Sequence, residues 1–394
     1  MCPADSRAIL PEPGQELKCV SASLSALIEA KIKNDGPLPF SEYMEMALYE
    51  PAHGYYSAGL KKFGAGGDFV TAPQLGNVFA RCLAHQVAEI GDMLGAYEIV
   101  EAGAGSGVLA ADLLQSLDPG HPPLRYSILE RSAYLRQVQK ETLAAAVPAW
   151  MDRIRWLDTP PARGWRGVFL ANEVIDALTF ERFHIEEDGI RQLLVGFGED
   201  GFHWQKRPFP APLQDRVDEV LGPFRASLPA GYRSEINPYL PEWLGAVTSQ
   251  LEQGAALFID YGYPRREYYL PRRLDGTLIC HYQHRAHDDP FQWPGLTDIS
   301  ASVDFTALAQ AADRCALDVS GYTTQAMFLL GCGLEQVMAD FQALEPAERL
   351  SRNNEVRRLT LPAEMGERFQ VMALSRGLAG ELRGFSLSDL RHRL

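Results

Sequence analysis

The segment Glu101-Ala102-Gly103-Ala104-Gly105-Ser106-Gly107 places three glycines at alternate positions behind an acidic residue. Glycine lacks a Cβ, so such a backbone can press against a ligand and turn through conformations closed to other residues. Between a strand and a helix this makes a nucleotide loop, with the helix N-terminus facing the ligand. The spacing has two readings: Gly105, Gly107 and Ala110 fit the dinucleotide fingerprint, whereas Glu101, Gly103, Gly105 and Gly107 fit a loop for S-adenosylmethionine (SAM). A carboxylate at 101 would repel a pyrophosphate but accept from the ammonium of a methionine moiety, which favours SAM. Glu130, ending the following strand, is placed for ribose hydroxyls in either reading. The bland alternative is a glycine turn that binds nothing.

Asn172-Glu173-Val174-Ile175-Asp176 follows an apolar run ending at Leu170-Ala171, at the carboxyl edge where open α/β sheets hold ligands. A helix N-cap would account for Asn172 and Glu173 and leave Asp176 over. Asp260-Tyr261-Gly262 has the same positional logic, with a capped turn as its alternative. Lys61 to Pro73, glycine-rich and with no apolar core of its own, carries Asp68 and Thr71 and reads as a lid over the cofactor. Cys280, His281, His284 and His287 are types that bind zinc, but no second ligand cluster accompanies them, and no metal is expected.

The elements that position these residues follow from hydrophobic period. Helical spacing over Ser23 to Asp35 stops at Asn34-Asp35-Gly36-Pro37; a second helix opens at Phe40 and ends before Pro51; a third runs from about Gln74 to Met93. Strands at Tyr97–Glu101, Arg125–Glu130, Arg153–Leu157 and Arg166–Ala171 then alternate with helices, which implies a parallel sheet covered on both faces. Short strands from Phe183 to Trp204, broken at Asp188-Gly189 and Glu199-Asp200-Gly201, read as an antiparallel insertion. The parallel pattern resumes at Ala255 to Asp260; after an irregular stretch from Pro264 to Ser300 come a helix over Phe305 to Arg314 and last strands at Leu317–Thr323 and Arg368–Leu374.

The 394 residues carry 51 acids against 37 bases, a formal charge of −14, which supplies no basic face for nucleic acid. Six scattered cysteines without a C-x-x-C pair point to a reducing compartment. The first residues lack the apolar run of a signal peptide and the Arg-rich character of a transit peptide, and no stretch reaches the length of a membrane span. A cytoplasmic protein is expected.

Taken together, these motifs resemble the MidA family of class I SAM-dependent methyltransferases, whose mitochondrial members are respiratory complex I assembly factors that methylate protein arginine. The resemblance runs from about Pro39 to the last strand. It rests on Tyr43-Met44 with Gly54-Tyr55-Tyr56, Gly67-Asp68-Phe69-Val70-Thr71-Ala72-Pro73, the glycine loop, and Asn172 through Leu178. Ile259-Asp260-Tyr261-Gly262, Gly276-Thr277-Leu278 with His284, Pro294-Gly295, Asp298, Val303-Asp304-Phe305 and Met365 through Phe369 complete it. The chain departs from the family pattern at Val174-Ile175, at Thr179 and at Ser302, where the family has aromatics, a proline and a histidine.

The resemblance implies a Rossmann-like sheet with an N-terminal helical and loop segment over 1–75, and a methyltransferase domain over 76–394 with insertions at about 181–250 and 264–300. It implies SAM held by Glu101, Gly103, Gly105, Gly107, Glu130 and Asn172 with Asp68 and Thr71 of the loop, and a protein substrate presenting arginine. Glu173, Asp176, Asp68 and Glu235 are the acids that would face a guanidinium; a capping role before the helix near Pro238 is the alternative for Glu235. A homodimer is compatible with all of this. The rival classes are a SAM-binding assembly chaperone without transfer activity and a nicotinamide enzyme using the other reading of the glycine loop.

Overall fold

The computed structural model describes residues 10–59 and 71–394. The chain divides into two compact units, one built from Val70–Asp176, Leu240–Arg265 and Val303–Leu394, the other from Met1–Phe69, Ala177–Tyr239 and Arg266–Ser302.

The first unit is built on one long sheet, with strands in the order Asp318–Thr324, Phe369–Arg376, Leu251–Tyr263, Trp165–Asn172, Glu98–Ala102, Arg125–Leu129, Ile154–Leu157. All neighbours are parallel except that Phe369–Arg376 runs against both of its neighbours. The expected parallel sheet therefore carries one reversed strand. The central strands are nearly continuous apolar runs, as strands covered on both faces must be. Alternation along Leu251–Tyr263 shows the two layers. Leu257 and Ile259 join the core formed with the helices Val78–Leu94 and Val108–Ser116, while Phe258 meets Phe169 and Trp243 of the helix Leu240–Thr248.

Two helical expectations change. The helix foreseen from about Gln74 is broken at Gly76-Asn77 into Ala72–Leu75 and Val78–Leu94. Three further helices, Gln325–Gly331, Leu334–Ala339 and Pro346–Thr360, lie between the last two strands.

The second unit gathers three stretches that are far apart in sequence. Its five-stranded sheet comprises Leu38–Pro39, Glu181–Glu186, Gly189–Gly198, Gly201–Arg207 and Arg233–Ile236, and the pairings are antiparallel with turns at the two sites read from the sequence. The helices Gln15–Asp35 and Phe40–Tyr49 cover it. Phe40 packs at ring distances of 5.5 Å on Phe180 and 5.0 Å on Trp204, and Tyr43 at 5.4 Å on Phe291. The boundaries foreseen from sequence are corrected accordingly. The N-terminal helices share a core with both insertions, which end at Tyr239 and Ser302, because neither a hairpin nor an isolated helix pair can bury its apolar face alone.

The cysteine–histidine segment is a hairpin, not an open loop: Ile279–Tyr282 pairs with Arg285–His287 across Gln283-His284, whose φ angles are +47° and +59°. Neighbouring residues of a strand point to opposite faces, which separates His281 from Cys280. Among the described residues no group of three or more His, Cys, Asp or Glu could hold a metal ion, and no helix is long and apolar enough to cross a membrane.

Candidate active site

Strand Glu98–Ala102 has Arg125–Leu129 on one side and Trp165–Asn172 on the other, so the connections leaving it diverge and open a crevice at its carboxyl end. The glycine loop lies there. Gly103, Gly105 and Gly107 have φ of +62°, +52° and +82°, which L side chains rarely adopt. A Cβ on Gly103 would come within 3.1 Å of Val174 Cγ2, and one on Gly107 within 3.2 Å of Gln139 Cα. The loop is tied down by Gly103 N–H donating to Leu129 O (3.0 Å) and Gly107 N–H to Ala104 O (2.7 Å), and the helix Val108–Ser116 starts directly behind it.

The two acids of this crevice are buried. Glu101, 2% exposed, accepts from the Tyr126 hydroxyl at 2.8 Å, and burial pushes its carboxyl up to about 7 despite that bond. Glu130 accepts from Ser132 N–H (2.8 Å) and Gln139 Nε2 (3.0 Å); here too burial raises the carboxyl above its ordinary range. Gln139 was not foreseen. Its Nε2 also donates to Gly105 O (3.0 Å), and its Oε1 accepts from Trp156 Nε1 (3.0 Å), so one buried amide ties the glycine loop to Glu130. The available signal was a glutamine on the inward face of the helix Ala133–Ala146.

Across the crevice edge, Glu173 adopts φ +53° and donates its N–H to Ile259 O at 2.8 Å. Its Oε1 accepts from Asn172 Nδ2 (3.2 Å) and from Ala72 N–H (3.4 Å), which brings Thr71-Ala72 to the same edge; Gln74 Oε1 in turn accepts from Thr71 N–H. No helix follows Asn172, so the capping reading of Asn172 and Glu173 is corrected. The turn is held instead by Asp260, whose Oδ2 accepts from Ile175 N–H (3.0 Å) and Asp176 N–H (3.2 Å), and whose Oδ1 accepts from Tyr261 N–H (2.9 Å). Burial, then the neighbouring Asp176 and Glu173 carboxylates, push Asp260 well above the usual carboxylate range. Sequence reasoning left Asp260 between a ligand site and a capped turn; it serves the turn, and the turn carries the acids.

Of the remaining acids expected from sequence, Asp68, with most of the expected lid, lies outside the described residues. Glu235 belongs to the antiparallel unit, where its Oε1 accepts from Arg182 Nε (3.1 Å) and its Oε2 from Thr277 N–H (2.7 Å) and Thr277 Oγ1 (3.1 Å). Buried and so engaged, it works as the core of an ion pair, which corrects its place among the catalytic acids and its reading as a helix cap.

The residues present suit SAM. Three left-handed glycines leave room for close approach, Glu101 can meet the ammonium, Glu130 the ribose, and Asn172 Oδ1 is a buried acceptor with no partner among the described residues. Sheet order, glycine loop and edge acids define a SAM-dependent methyltransferase.

Comparison with known proteins agrees. A family model described as "S-adenosyl-L-methionine-dependent methyltransferase" matches residues 78–323, and the chain belongs to this family, the MidA-like methyltransferases. A Burkholderia thailandensis protein crystallised with S-adenosyl-homocysteine superposes with a TM-score of 0.91 at 41% identity, covering 98% of this chain and all of that one. A native structure from the same organism gives 0.89 at 40% identity, with 98% of this chain and 100% of that chain covered. A Danio rerio relative named protein arginine methyltransferase NDUFAF7, mitochondrial, is 29% identical over 90% of this chain and 88% of its own; the Homo sapiens protein of that name is 27% identical over 87% and 81%. The dinucleotide reading of the glycine loop is thereby set aside. The expected cytoplasmic location is overturned as well, because these relatives are named as mitochondrial; the composition of a few leading residues was too slight a ground for it.

Proposed function

We propose that the methyl acceptor is an arginine of a protein, held by Glu173 and Asp176. The observation that carries this reading is the placing of Glu173 and Asp176 in one turn at the sheet's carboxyl edge, held by Asp260 of the neighbouring strand and packed beside Gly103 of the glycine loop. The names of the curated relatives support it, and the family resemblance points to respiratory complex I as the source of the substrate.

SAM, when bound, supplies an electrophilic methyl group on a sulfonium. The protein's part is alignment and charge. A guanidinium is a poor nucleophile while its positive charge is delocalised and its pKa lies above about 12. Carboxylates of Glu173 and Asp176 on one side of it draw the charge toward the nitrogens they contact, which leaves the remaining nitrogen more electron-rich. When that nitrogen gains a methyl group it must lose a proton, and a carboxylate at this edge can accept it. Asp260 spends its oxygens on the amides of Ile175, Asp176 and Tyr261, and so keeps the turn in register.

The test is transfer of radiolabelled methyl from SAM into an extract of cells lacking this protein, followed by mass spectrometry of the products. Label on protein arginine is the expected result. Label on lysine, nucleic acid or a small molecule would reject the acceptor, and an extract that gains no label would favour the assembly-chaperone reading.

A further inference from the structure

The helix Val78–Leu94 has Asn77 at its N-cap, but no side chain there caps it. The cap comes from the helix Pro346–Thr360. Glu355 Oε1 accepts the Val78 N–H at 2.7 Å, while Oε2 accepts from Arg352 Nη1 at 3.0 Å. Glu355 is 4% exposed, and a Cβ on Gly76 would run into its carboxylate, so the backbone at 76–78 is seated directly on this side chain. Gly76 and Asn77 separate that helix from Ala72–Leu75, the short helix whose first residue donates its N–H to Glu173 Oε1.

One short stretch of chain therefore runs from a buried, ion-paired carboxylate to the acid that would grip the substrate. We infer that Glu355 is a positioning residue for Glu173: by seating Gly76–Val78 it fixes the helix Ala72–Leu75, and with it the Ala72 amide that orients the Glu173 carboxylate. Glu173 depends on such support because its backbone already sits in the left-handed region at φ +53°. Arg352 steadies Glu355 in turn, holding the oxygen that Val78 does not use. The glycine loop, Glu101 and Glu130 lie outside this route, and of the described residues expected to hold SAM only Thr71 lies on it, so SAM binding should depend on it less than transfer does. The inference rests on the role proposed for Glu173.

The experiment is a double-mutant cycle on the full chain, reading labelled methyl transfer into the extract at saturating SAM and SAM affinity by calorimetry. Glu355→Ala is expected to slow transfer at saturating SAM roughly ten-fold, the scale of one buried charge-assisted hydrogen bond, with SAM affinity falling by a smaller factor. Glu355→Gln, which keeps an oxygen for the Val78 amide, is expected to recover part of the rate. Combining Glu355→Ala with Glu173→Gln should cost no more than Glu173→Gln alone, because both act through one carboxylate. Losses that multiply, or a normal rate in Glu355→Ala, would overturn the inference while leaving Glu173 in its role. A normal rate in Glu173→Gln would overturn that role and the inference with it. Should Glu355→Ala fail to fold, Glu355→Gln and its combination with Glu173→Gln carry the same comparison.

Discussion

In the antiparallel unit, Glu235 is buried against Arg182 Nε at 3.1 Å and takes two further donors from Thr277; the guanidinium it holds also lies 5.2 Å from the Trp204 ring centre and donates to Asp275 O. In the sheet unit, Glu101 is just as buried, but its hydrogen bond comes from the neutral Tyr126 hydroxyl, and its carboxyl rises to about 7. Glu130 and Asp260 follow Glu101: amides satisfy them and burial raises them. A buried acid neutralised inside its own unit has finished its work on folding. Glu101, whose hydrogen bond comes from one neutral hydroxyl at the carboxyl edge of the sheet, keeps an unspent attraction for a cation such as the ammonium of SAM. Glu181 shows that burial alone is no sufficient mark. It too is raised by burial, yet its oxygens are taken by Ser41, Gln192 and Tyr239 within a packed core.

Three variants sharpen this contrast. The largest effect is expected of Gly105→Val in the sheet unit: a branched residue cannot adopt φ +52° without strain and would stand where the cofactor approaches, so calorimetry should detect no SAM binding. Retained affinity would move the cofactor off this loop. Next comes Arg182→Ala in the antiparallel unit, which leaves Glu235 buried without its cation and should cost about 3–5 kcal/mol in denaturant unfolding. An unchanged midpoint would mean that Glu235 is not a structural acid, and the division drawn between the units would fail.

The smallest effect concerns pH. Because the folded-state pKa of Glu101 is raised above its ordinary value of 4.5, its contribution to stability is full at acid pH and is lost as pH rises through about 7. A bound ammonium favours the ionised form, so SAM affinity should run the opposite way, rising roughly ten-fold between about pH 6 and 8. Glu101→Gln should flatten that rise and melt higher than the unaltered protein at alkaline pH. The same rise in the variant would show that another group sets it.

What the sequence disclosed follows the range of the interactions involved. The glycine loop was legible because its chemistry lies within seven adjacent residues, and the helix Phe305–Arg314 because Asp304 caps it locally, accepting from Thr306 and Ala307 N–H. The hairpins at Asp188-Gly189 and Asp200-Gly201 were legible for the same reason. Asn172-Glu173 was ambiguous in principle: a polar pair after a strand suits a helix cap and a ligand turn equally, and what decides between them is Asp260, which lies in another strand. Gln139, Glu355 and the Arg182–Glu235 pair depend on contacts between chain-distant elements and leave no period to read. The joining of the N-terminal helices to both insertions is of the same kind, since Phe40 and Tyr43 look in sequence like any apolar helix face.

The central claim is that the acids of the edge turn serve the acceptor and not the cofactor, and Glu173→Gln tests it most directly. The substitution keeps size and hydrogen bonding but removes the charge that would orient a guanidinium. With SAM affinity and methyl transfer measured on the same preparation, affinity should stay within about two-fold while transfer falls roughly a hundred-fold or more, because the lost interaction is made chiefly in the transition state. Transfer at the unaltered rate, or a loss of SAM affinity that accounts for the whole loss of rate, would contradict the account.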